Sequence, residues 1–329
     1  MRYCFDIETN GFLDECTTVH CIVLKNIDTN EILKPTNEEA IKLLSEADLI
    51  AGHNIIKFDI PVLEKLFGFK TKAQIFDTIV ATRLLFPDIR DSDFKRNDFP
   101  ANCIGRHSLK AWGYRVGNYK EAFDTDWKTF SPAMLDYCVQ DVEVTHSLFK
   151  MIENRGYSEQ AMKLEHDVAS LIFRQEQHGF TFDKEKAQQL YSKLNARRAE
   201  LEEEFQKLFK PITTKRISPK TGKQLKDKIT VFNPSSRLHI ADRLKTKYNW
   251  QPDVYTSDGK PKLDDTILSK LDYPEAKLLA EHFLLDKRIG QLATGAQAWL
   301  KNETNGKIHG TCNTNSTVTA RASHSHPNL

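Results

Sequence analysis

The pattern of apolar and polar positions divides the chain into two parts that differ in predicted secondary structure. In residues 1–155, short apolar runs alternate with amphipathic segments, which predicts strands alternating with helices. From about Ser158 onward, apolar residues recur at the spacing of long helices. We therefore predict an α/β domain with a mixed sheet and flanking helices, followed by a mainly α-helical region.

Turn and capping signals place the individual elements. The predicted strands are residues 3–9, 18–24, 31–33, 49–52 and a run that ends at Phe76. The predicted helices include residues 79–85, 107–114, 183–208 and 274–300, with the last expected to be the longest, and further helices start at Ser131-Pro132 and after Phe232. Residues 207–228 contain two prolines and a glycine and are predicted to form a loop.

Two acids stand in the first predicted strand, where an apolar core would exclude them. Asp6 and Glu8 are two positions apart, so on a strand their side chains project from the same face. Adjacent carboxylates repel each other and are costly to desolvate unless a cation lies between them. Oxygen ligands favour a hard divalent ion, Mg²⁺ or Mn²⁺. The alternative is a pair of solvated acids at the end of a strand.

Further polar residues downstream have two interpretations each. Asp59 follows a strand, so it is either a metal ligand or the N-cap of the next helix. Asp77 has the same position before another helix, and we interpret it as a cap rather than a ligand. Tyr137 and Asp141 are one turn apart on a single helical face, which simple packing beside a solvated charge would also explain.

The charge of the chain is unevenly distributed. The whole sequence has a formal net charge of +2, but residues 1–150 hold 18 basic and 23 acidic residues, which leaves 47−18 = 29 and 45−23 = 22 for the remainder. The net charges are thus −5 and +7, which suits a metal site beside a surface that binds a polyanion. Residues 207–228 carry eight Lys or Arg and one acid. This segment is either an ordinary solvated surface or a contact for nucleic-acid phosphates.

The six cysteines have no regular spacing and form no Cys-x-x-Cys pair, which indicates reduced thiols rather than a disulfide framework or a zinc site. The sequence starts directly in a strand without a signal peptide, and no apolar run has the length of a membrane span. We expect a soluble protein of the cytoplasm that has no membrane partner.

Three groups of residues together resemble the exonuclease motifs of one enzyme family. Asp6-x-Glu8, Asn54-x-x-x-Phe58-Asp59 and Tyr137-x-x-x-Asp141 are similar to the motifs of the 3′–5′ proofreading domain in A-family (DNA polymerase I-like) DNA polymerases. Residues 105–115 are similar to a segment of the replicative polymerases of short-tailed phages. The resemblance implies a ribonuclease H-like exonuclease domain over residues 1–155. It also implies the catalytic residues Asp6, Glu8, Asp59, Tyr137 and Asp141.

The same resemblance implies two metal ions, Mg²⁺ with Mn²⁺ possible as a substitute, held by the four carboxylates of that set. One ion would be held by Asp6, Glu8 and Asp141 and the other mainly by Asp6, with Asp59 acting through coordinated water. Tyr137 would orient the attacking water. Residues 156–305 resemble the helical thumb of these polymerases, and residues 306–329 resemble the start of the palm. The expected DNA-binding residues are Asn54, Lys215, Arg216, Lys220, Lys223, Asn233, Ser235, Lys287, Arg288 and Arg321.

The leading hypothesis is the N-terminal part of a phage-type DNA-directed DNA polymerase, in an infected bacterial host, with metal-dependent 3′–5′ exonuclease activity that releases 5′-nucleoside monophosphates. We expect it not to polymerise DNA alone, and a second chain could supply the palm and fingers. Binding of thioredoxin is not expected, because residues 211–231 are short where phage relatives carry a long insertion. The end of the chain is expected to be poorly packed. The alternatives are a free-standing exonuclease for RNA or single-stranded DNA, and a non-catalytic DNA-binding subunit.

Overall fold

A five-stranded sheet organises the first half of the protein in the computed structural model, which describes residues 1–119 and 126–327. Its strands are β1 (Arg2–Thr9), β2 (Val19–Asn26), β3 (Ile32–Leu33), β4 (Leu49–Gly52) and β5 (Gln74–Asp77). The spatial order is β3-β2-β1-β4-β5, with β1 antiparallel to β2 and parallel to β4. The predicted mixed sheet is therefore confirmed, and β1 is its central strand.

Helices cover both faces of this sheet. They are α1 (Asn37–Ser45), α2 (Asp59–Phe67), α3 (Thr78–Leu85), α4 (Ile89–Asp93), α5 (Leu109–Val116), α6 (Pro132–Arg155) and α7 (Glu159–His178). Phe5 of β1 packs in the apolar cluster formed with α1 and α2. Cys4 belongs to the cluster on the opposite face, with Val142 of α6. Because side chains alternate along a strand, Asp6 and Glu8 project from the same face as Cys4, towards α6.

Helix α6 is fixed on the sheet by ion pairs at its middle and near its C-terminal end. Lys25 Nζ of β2 lies 2.7 Å from Glu143 Oε2. Arg2 of β1 donates a 2.8 Å hydrogen bond to Glu153. Ser131 caps the N-terminus of α6 and a proline occupies its first position, as the sequence predicts. These contacts set the rotation of the helix that carries part of the candidate site.

A buried ion pair holds the long connection between α3 and α5. Arg115 donates to both carboxylate oxygens of Asp93, at 3.0 and 2.8 Å, and the backbone N–H of Gly105 donates to the same carboxylate at 2.8 Å. The guanidinium lies 4.6 Å from the ring centre of Trp112. His107 packs against the same ring, at 6.2 Å between centroids. The connection thus has a core of its own.

The chain divides into two compact units, the first holding residues 1–179 and 310–325 and the second residues 180–309. The second unit contains β6 (Phe180–Thr181), α8 (Lys184–Leu208), β7 (Ile212–Ile217), β8 (Gln224–Thr230), α9 (Arg237–Tyr248), α10 (Asp265–Ser269), α11 (Pro274–Ile289), β9 (Glu303–Thr304) and β10 (Lys307–Ile308). Its core joins Phe205 of α8, Ile240 of α9 and Leu279 of α11. Among the described residues, no helix combines the length and the apolarity that a membrane span requires.

Two predictions about the second unit are wrong. The segment predicted as a loop forms the β7–β8 hairpin, because Pro219 and Gly222 lie in its turn while β-branched residues occupy its strands. The α-helix predicted over residues 274–300 ends at Ile289, and a π-helical turn over residues 290–294 follows it. Gly295 then closes the turn on Gly290, where a Cβ would lie 2.6 Å from the Gly290 carbonyl oxygen.

The boundary between the units differs from the one expected at residue 155. Helix α7 belongs to the first unit, because Ala169 on its apolar face packs with Ile56 and Val80. Residues 310–325 also belong there, with strands β11 (Thr311–Asn313) and β12 (Ser323–Ser325). Cys312 is buried, and its backbone N–H donates to Glu176 of α7 at 2.6 Å. The expectation of a poorly packed tail is therefore wrong for residues 311–313.

Candidate active site

Strand β1 and helix α6 bring four predicted residues and one unpredicted thiol to one face of the sheet. Asp6 and Glu8 lie under α6, which carries Tyr137 and Asp141 on its first turns. Between these positions, Cys138 Sγ lies 3.4 Å from the Asp6 carbonyl oxygen and 3.7 Å from Asp6 Oδ2. The ligand atoms of Asp6, Glu8 and Cys138 are all within 4.8 Å of one another. This geometry can hold a divalent cation.

Asp59 is buried next to the same strand and is not the N-cap of α2. The cap position belongs to Phe58, so the interpretation of Asp59 as a capping residue is wrong. Within the described part of the chain, its Oδ1 atom is buried without a hydrogen-bond partner. Burial raises the pKa of Asp59 to about 8. The negative charges of Asp77 and Asp141 also act to raise this pKa, whereas hydrogen bonds from the backbone act to lower it. A bound cation would reverse this electrostatic penalty.

Asp77 positions the turn that leads to Asp59. Its carboxylate accepts the backbone N–H groups of Asn54 at 2.8 Å and Ile56 at 3.1 Å, besides that of Ile79 at 3.0 Å. The last bond is the predicted helix cap, so that interpretation of Asp77 is confirmed. The turn needs this support because Asn54 has a left-handed backbone conformation, with φ of 69°. Asp77 is thus a positioning residue that serves two segments.

Aromatic side chains form an open rim beside Glu8. A cavity of about 280 Å³ is lined by Ile7, Glu8, Thr9, Gly11, Phe12, Phe58 and Trp127. Phe12 is 82% exposed. The ring of Trp127 meets that of Tyr137 edge to face, with centroids 5.7 Å apart. Exposed aromatic faces next to carboxylates suit a ligand that has both a planar base and a phosphate.

The β7–β8 hairpin brings four of the predicted DNA-binding residues together. Lys215, Arg216, Lys220 and Lys223 are all exposed on the hairpin or its turn. They form no ion pair within the part of the chain that the structure describes. Their charge is therefore available to a polyanion.

The other predicted DNA-binding residues occupy different surroundings. Lys287 and Arg288 are exposed on the last turn of α11. Ser235 donates a 2.8 Å hydrogen bond to Asp286, and Asn233 accepts one from the Ser235 backbone at 2.9 Å. The remaining two predicted residues belong to the first unit. Arg321 is exposed, and Asn54 lies in the turn that Asp77 supports.

Comparisons with known proteins match two successive parts of the chain. Residues 13–156 match the family model described as 3′-5′ exonuclease, and residues 184–329 match the model described as DNA polymerase family A. The DNA-directed DNA polymerase of Escherichia phage T7 is 32% identical over 98% of this chain, and that of Enterobacteria phage T3 is 31% identical over 98%. Each model covers less than half of the chain, so the similarity to DNA polymerase family A is shown for residues 184–329.

The chain spans 62% of the length of each of these phage relatives. The T7 alignment extends over 434 residues, whereas the chain has 329, so at least 434−329 = 105 positions have no counterpart here. Among solved structures, the POL domain of Pol1 from M. smegmatis, in complex with DNA primer-template and dNTP, has a TM-score of 0.66 and 16% identity. It covers 100% of this chain, which covers 52% of it. This likeness supports the fold alone.

Sequence reasoning missed three side chains at the candidate active site. Phe12 and Trp127 line the rim, and Cys138 touches Asp6. Phe12 carried a signal, because an exposed aromatic residue directly after the Asn10-Gly11 turn has no core to join. Cys138 carried none, since its contact depends on how α6 is rotated against β1.

Proposed function

We propose that this chain is the proofreading portion of a phage-type family A DNA polymerase, a 3′–5′ exonuclease that acts on DNA. The observation that supports the proposal is that carboxylates from three separate elements, three of them buried, lie around β1. Asp6 and Glu8 come from β1, Asp59 from α2 and Asp141 from α6. Asp59 and Asp141 are close enough for each charge to affect the other. Neighbouring carboxylates of this kind destabilise a protein core unless a cation compensates their charge.

The donor set fits hard divalent ions. All four carboxylates offer oxygen ligands, and the buried Asp59 Oδ1 atom lacks a hydrogen-bond partner among the described residues. We propose that Asp6, Glu8, Asp59 and Asp141 hold two Mg²⁺ ions, for which Mn²⁺ can substitute. Such ions supply positive charge that lowers the pKa of water and stabilises the entering and leaving oxygens of a phosphodiester.

The protein side chains position the substrate around that charge. Tyr137 hydrogen-bonds the attacking water and is itself held by its edge-to-face contact with Trp127. Phe12 presents an exposed ring on which the terminal base of a single strand stacks. The negative charge of the four carboxylates would repel the scissile phosphate. Binding of this phosphate would therefore require the cations that the carboxylates hold. The product is a 5′-nucleoside monophosphate from the 3′ end.

DNA outside the site is held by the second unit in this proposal. The exposed lysines and arginine of the β7–β8 hairpin contact phosphates, and Lys287 and Arg288 of α11 add further positive charge. Asn233 and Ser235 precede α9 and contact the backbone of DNA, while Asn54 and Arg321 contact it from the first unit. These roles rest on exposure and charge together with the similarity to family A DNA polymerases.

The polymerase activity of the phage relatives is a further proposal for a protein that contains this chain. The two phage relatives are DNA-directed DNA polymerases, which supports a role for such a protein in replication within an infected bacterial cell. Whether a second chain supplies palm and fingers stays a prediction. The absence of thioredoxin binding also stays a prediction, and the shortness of the β7–β8 hairpin supports it.

Degradation of a 3′-overhang DNA by the purified chain tests the proposal. The wild type with Mg²⁺ is compared with the Asp6→Ala/Glu8→Ala variant, and an RNA of the same sequence is the second substrate. We expect metal-dependent shortening of the DNA that the double variant abolishes. Preferred shortening of RNA would replace the proposal by a ribonuclease. Binding of DNA without hydrolysis would replace it by a non-catalytic subunit.

A further inference from the structure

Two buried thiols lie beside the carboxylates of the candidate active site. Cys138 follows Tyr137 on α6, and its Sγ atom is 3.7 Å from Asp6 Oδ2. Cys21 is paired with Glu8 in the β1–β2 ladder and packs in the same apolar cluster as Cys138. Hydrolysis by oxygen-bound ions uses neither thiol.

A buried cysteine is most often a small apolar side chain of the core. That role accounts for Cys4, whose thiol lies in the apolar cluster between β1 and α6. Cys138 belongs to the same apolar cluster but differs from Cys4 in that its sulfur atom also lies beside oxygens of Asp6. The ligand atoms of Asp6, Glu8 and Cys138 lie within 4.8 Å of one another, and Asp6 is only half-buried. An ion can therefore reach this cluster from the side of the acids.

The spacing matches the edge of a tetrahedral metal site. Zinc–sulfur bonds of about 2.3 Å and zinc–oxygen bonds of about 2.1 Å, at the tetrahedral angle, separate sulfur from oxygen by about 3.6 Å. The observed distance between Cys138 Sγ and Asp6 Oδ2 is 3.7 Å. Mg²⁺ takes oxygen ligands in an octahedron and has no use for a thiolate, whereas Zn²⁺ and Cd²⁺ bind sulfur strongly.

We propose that Asp6, Glu8 and Cys138 form a binding site for a thiophilic divalent cation, of which Zn²⁺ and Cd²⁺ are representatives, and that its occupation stops the exonuclease. When the sulfur–metal bond forms, the Cys138 thiol loses its proton to solvent, and no electron is transferred. The inhibition occurs because the thiophilic ion occupies Asp6 and Glu8, which Mg²⁺ then cannot use. The binding site stands on its own, and only the inhibition rests on the proposed function.

Cadmium binding to the intact chain tests the site without any substrate. Cd²⁺ is titrated into the metal-free protein, and the ultraviolet absorption from thiolate-to-cadmium charge transfer is recorded. The variants are Cys138→Ser and Cys138→Ala, with Cys103→Ser as the control because Cys103 is equally buried but lies in the α4–α5 connection. Thermal melting identifies the Cys138 variants that fold. We expect the wild type and the control to share one strong transition, which both Cys138 variants lose as their affinity falls on the order of 10- to 100-fold or more.

Activity forms a second, separate arm. At a fixed Mg²⁺ concentration, Zn²⁺ is titrated and the rate of each protein is expressed relative to its own rate without Zn²⁺. We expect the Zn²⁺ concentration that halves the rate to be at least tenfold higher for the Cys138 variants. Charge transfer that is unchanged in a folded Cys138 variant, or lost equally in Cys103→Ser, would overturn the proposal. If no protein has Mg²⁺-dependent activity, the proposed function fails while the absorption still decides whether the thiophilic site exists.

Discussion

The β7–β8 hairpin allows a quantitative prediction about DNA binding. We consider the variant in which Lys215, Arg216, Lys220 and Lys223 are all replaced by Gln. Each phosphate that a protein neutralises in duplex DNA contributes about 0.9 to the slope of log affinity against log salt. If all four side chains contact phosphates, the variant's slope is smaller by about 4 × 0.9, or about 3.6. Between about 50 and 200 mM salt, the wild type then loses about 150-fold more affinity than the variant.

Fluorescence anisotropy of a labelled primer-template at several salt concentrations measures both slopes, with Mg²⁺ omitted so that the DNA stays intact. The control variant replaces Lys34, Lys42, Lys70 and Lys72, which are four exposed lysines of the first unit, by Gln. Since all eight side chains are exposed, each substitution should change the free energy of unfolding by no more than about 0.5 kcal/mol. Equal slopes for the hairpin variant and the control would refute the assignment of the hairpin as a phosphate contact.

Three further predictions concern the first unit. Asp93→Asn leaves the guanidinium of Arg115 buried without its charged partner, and we expect the free energy of unfolding to fall by about 3–5 kcal/mol. Urea denaturation measures this change, with Asp91→Asn at an exposed position as the control. Burial lowers the pKa of His107 from 6.5 to about 4, so between these pH values the unfolded chain binds more protons than the folded chain. The stability of the protein should therefore fall as the pH drops from about 6.5 to 4. In thermal melting, His107→Gln should remove part of this pH dependence. Tyr137→Phe keeps the ring that packs on Trp127 but removes the hydroxyl, so single-turnover hydrolysis should slow about 100-fold while DNA binding is unchanged; an unchanged rate would contradict the role of the hydroxyl.

The part of the site on β1 was predictable because strand geometry is local. Alternation alone places Asp6 and Glu8 on one face, and the structure has that face under α6. The interpretation of Asp59 needed the fold, since a strand followed by Asp is equally typical of a helix cap. Here the helix starts one residue earlier than a cap at Asp59 would require, and the carboxylate is left in the protein interior.

The errors in the second half have a common physical cause. Prolines and glycines mark turns, but they do not say whether the flanking residues pair, so the segment around Pro219 and Gly222 formed a hairpin rather than a loop. Helical periodicity gives the apolar face of α7 but not the surface that covers it, and Ala169 packs on the first unit. Such choices depend on contacts between residues far apart in the sequence.

Identification of the nucleotides released from a doubly labelled single strand tests the central claim most directly. One label is carried by the phosphate of the 3′-terminal nucleotide and the other by the 5′ end. With the wild type and Mg²⁺, we expect the 3′ label to appear at once as a 5′-nucleoside monophosphate while the 5′ label stays on strands that shorten one nucleotide at a time. Asp59→Asn and Asp141→Asn should both suppress this release. Early release of the 5′ label, or cleavage of a circular single strand at the same rate, would contradict the account.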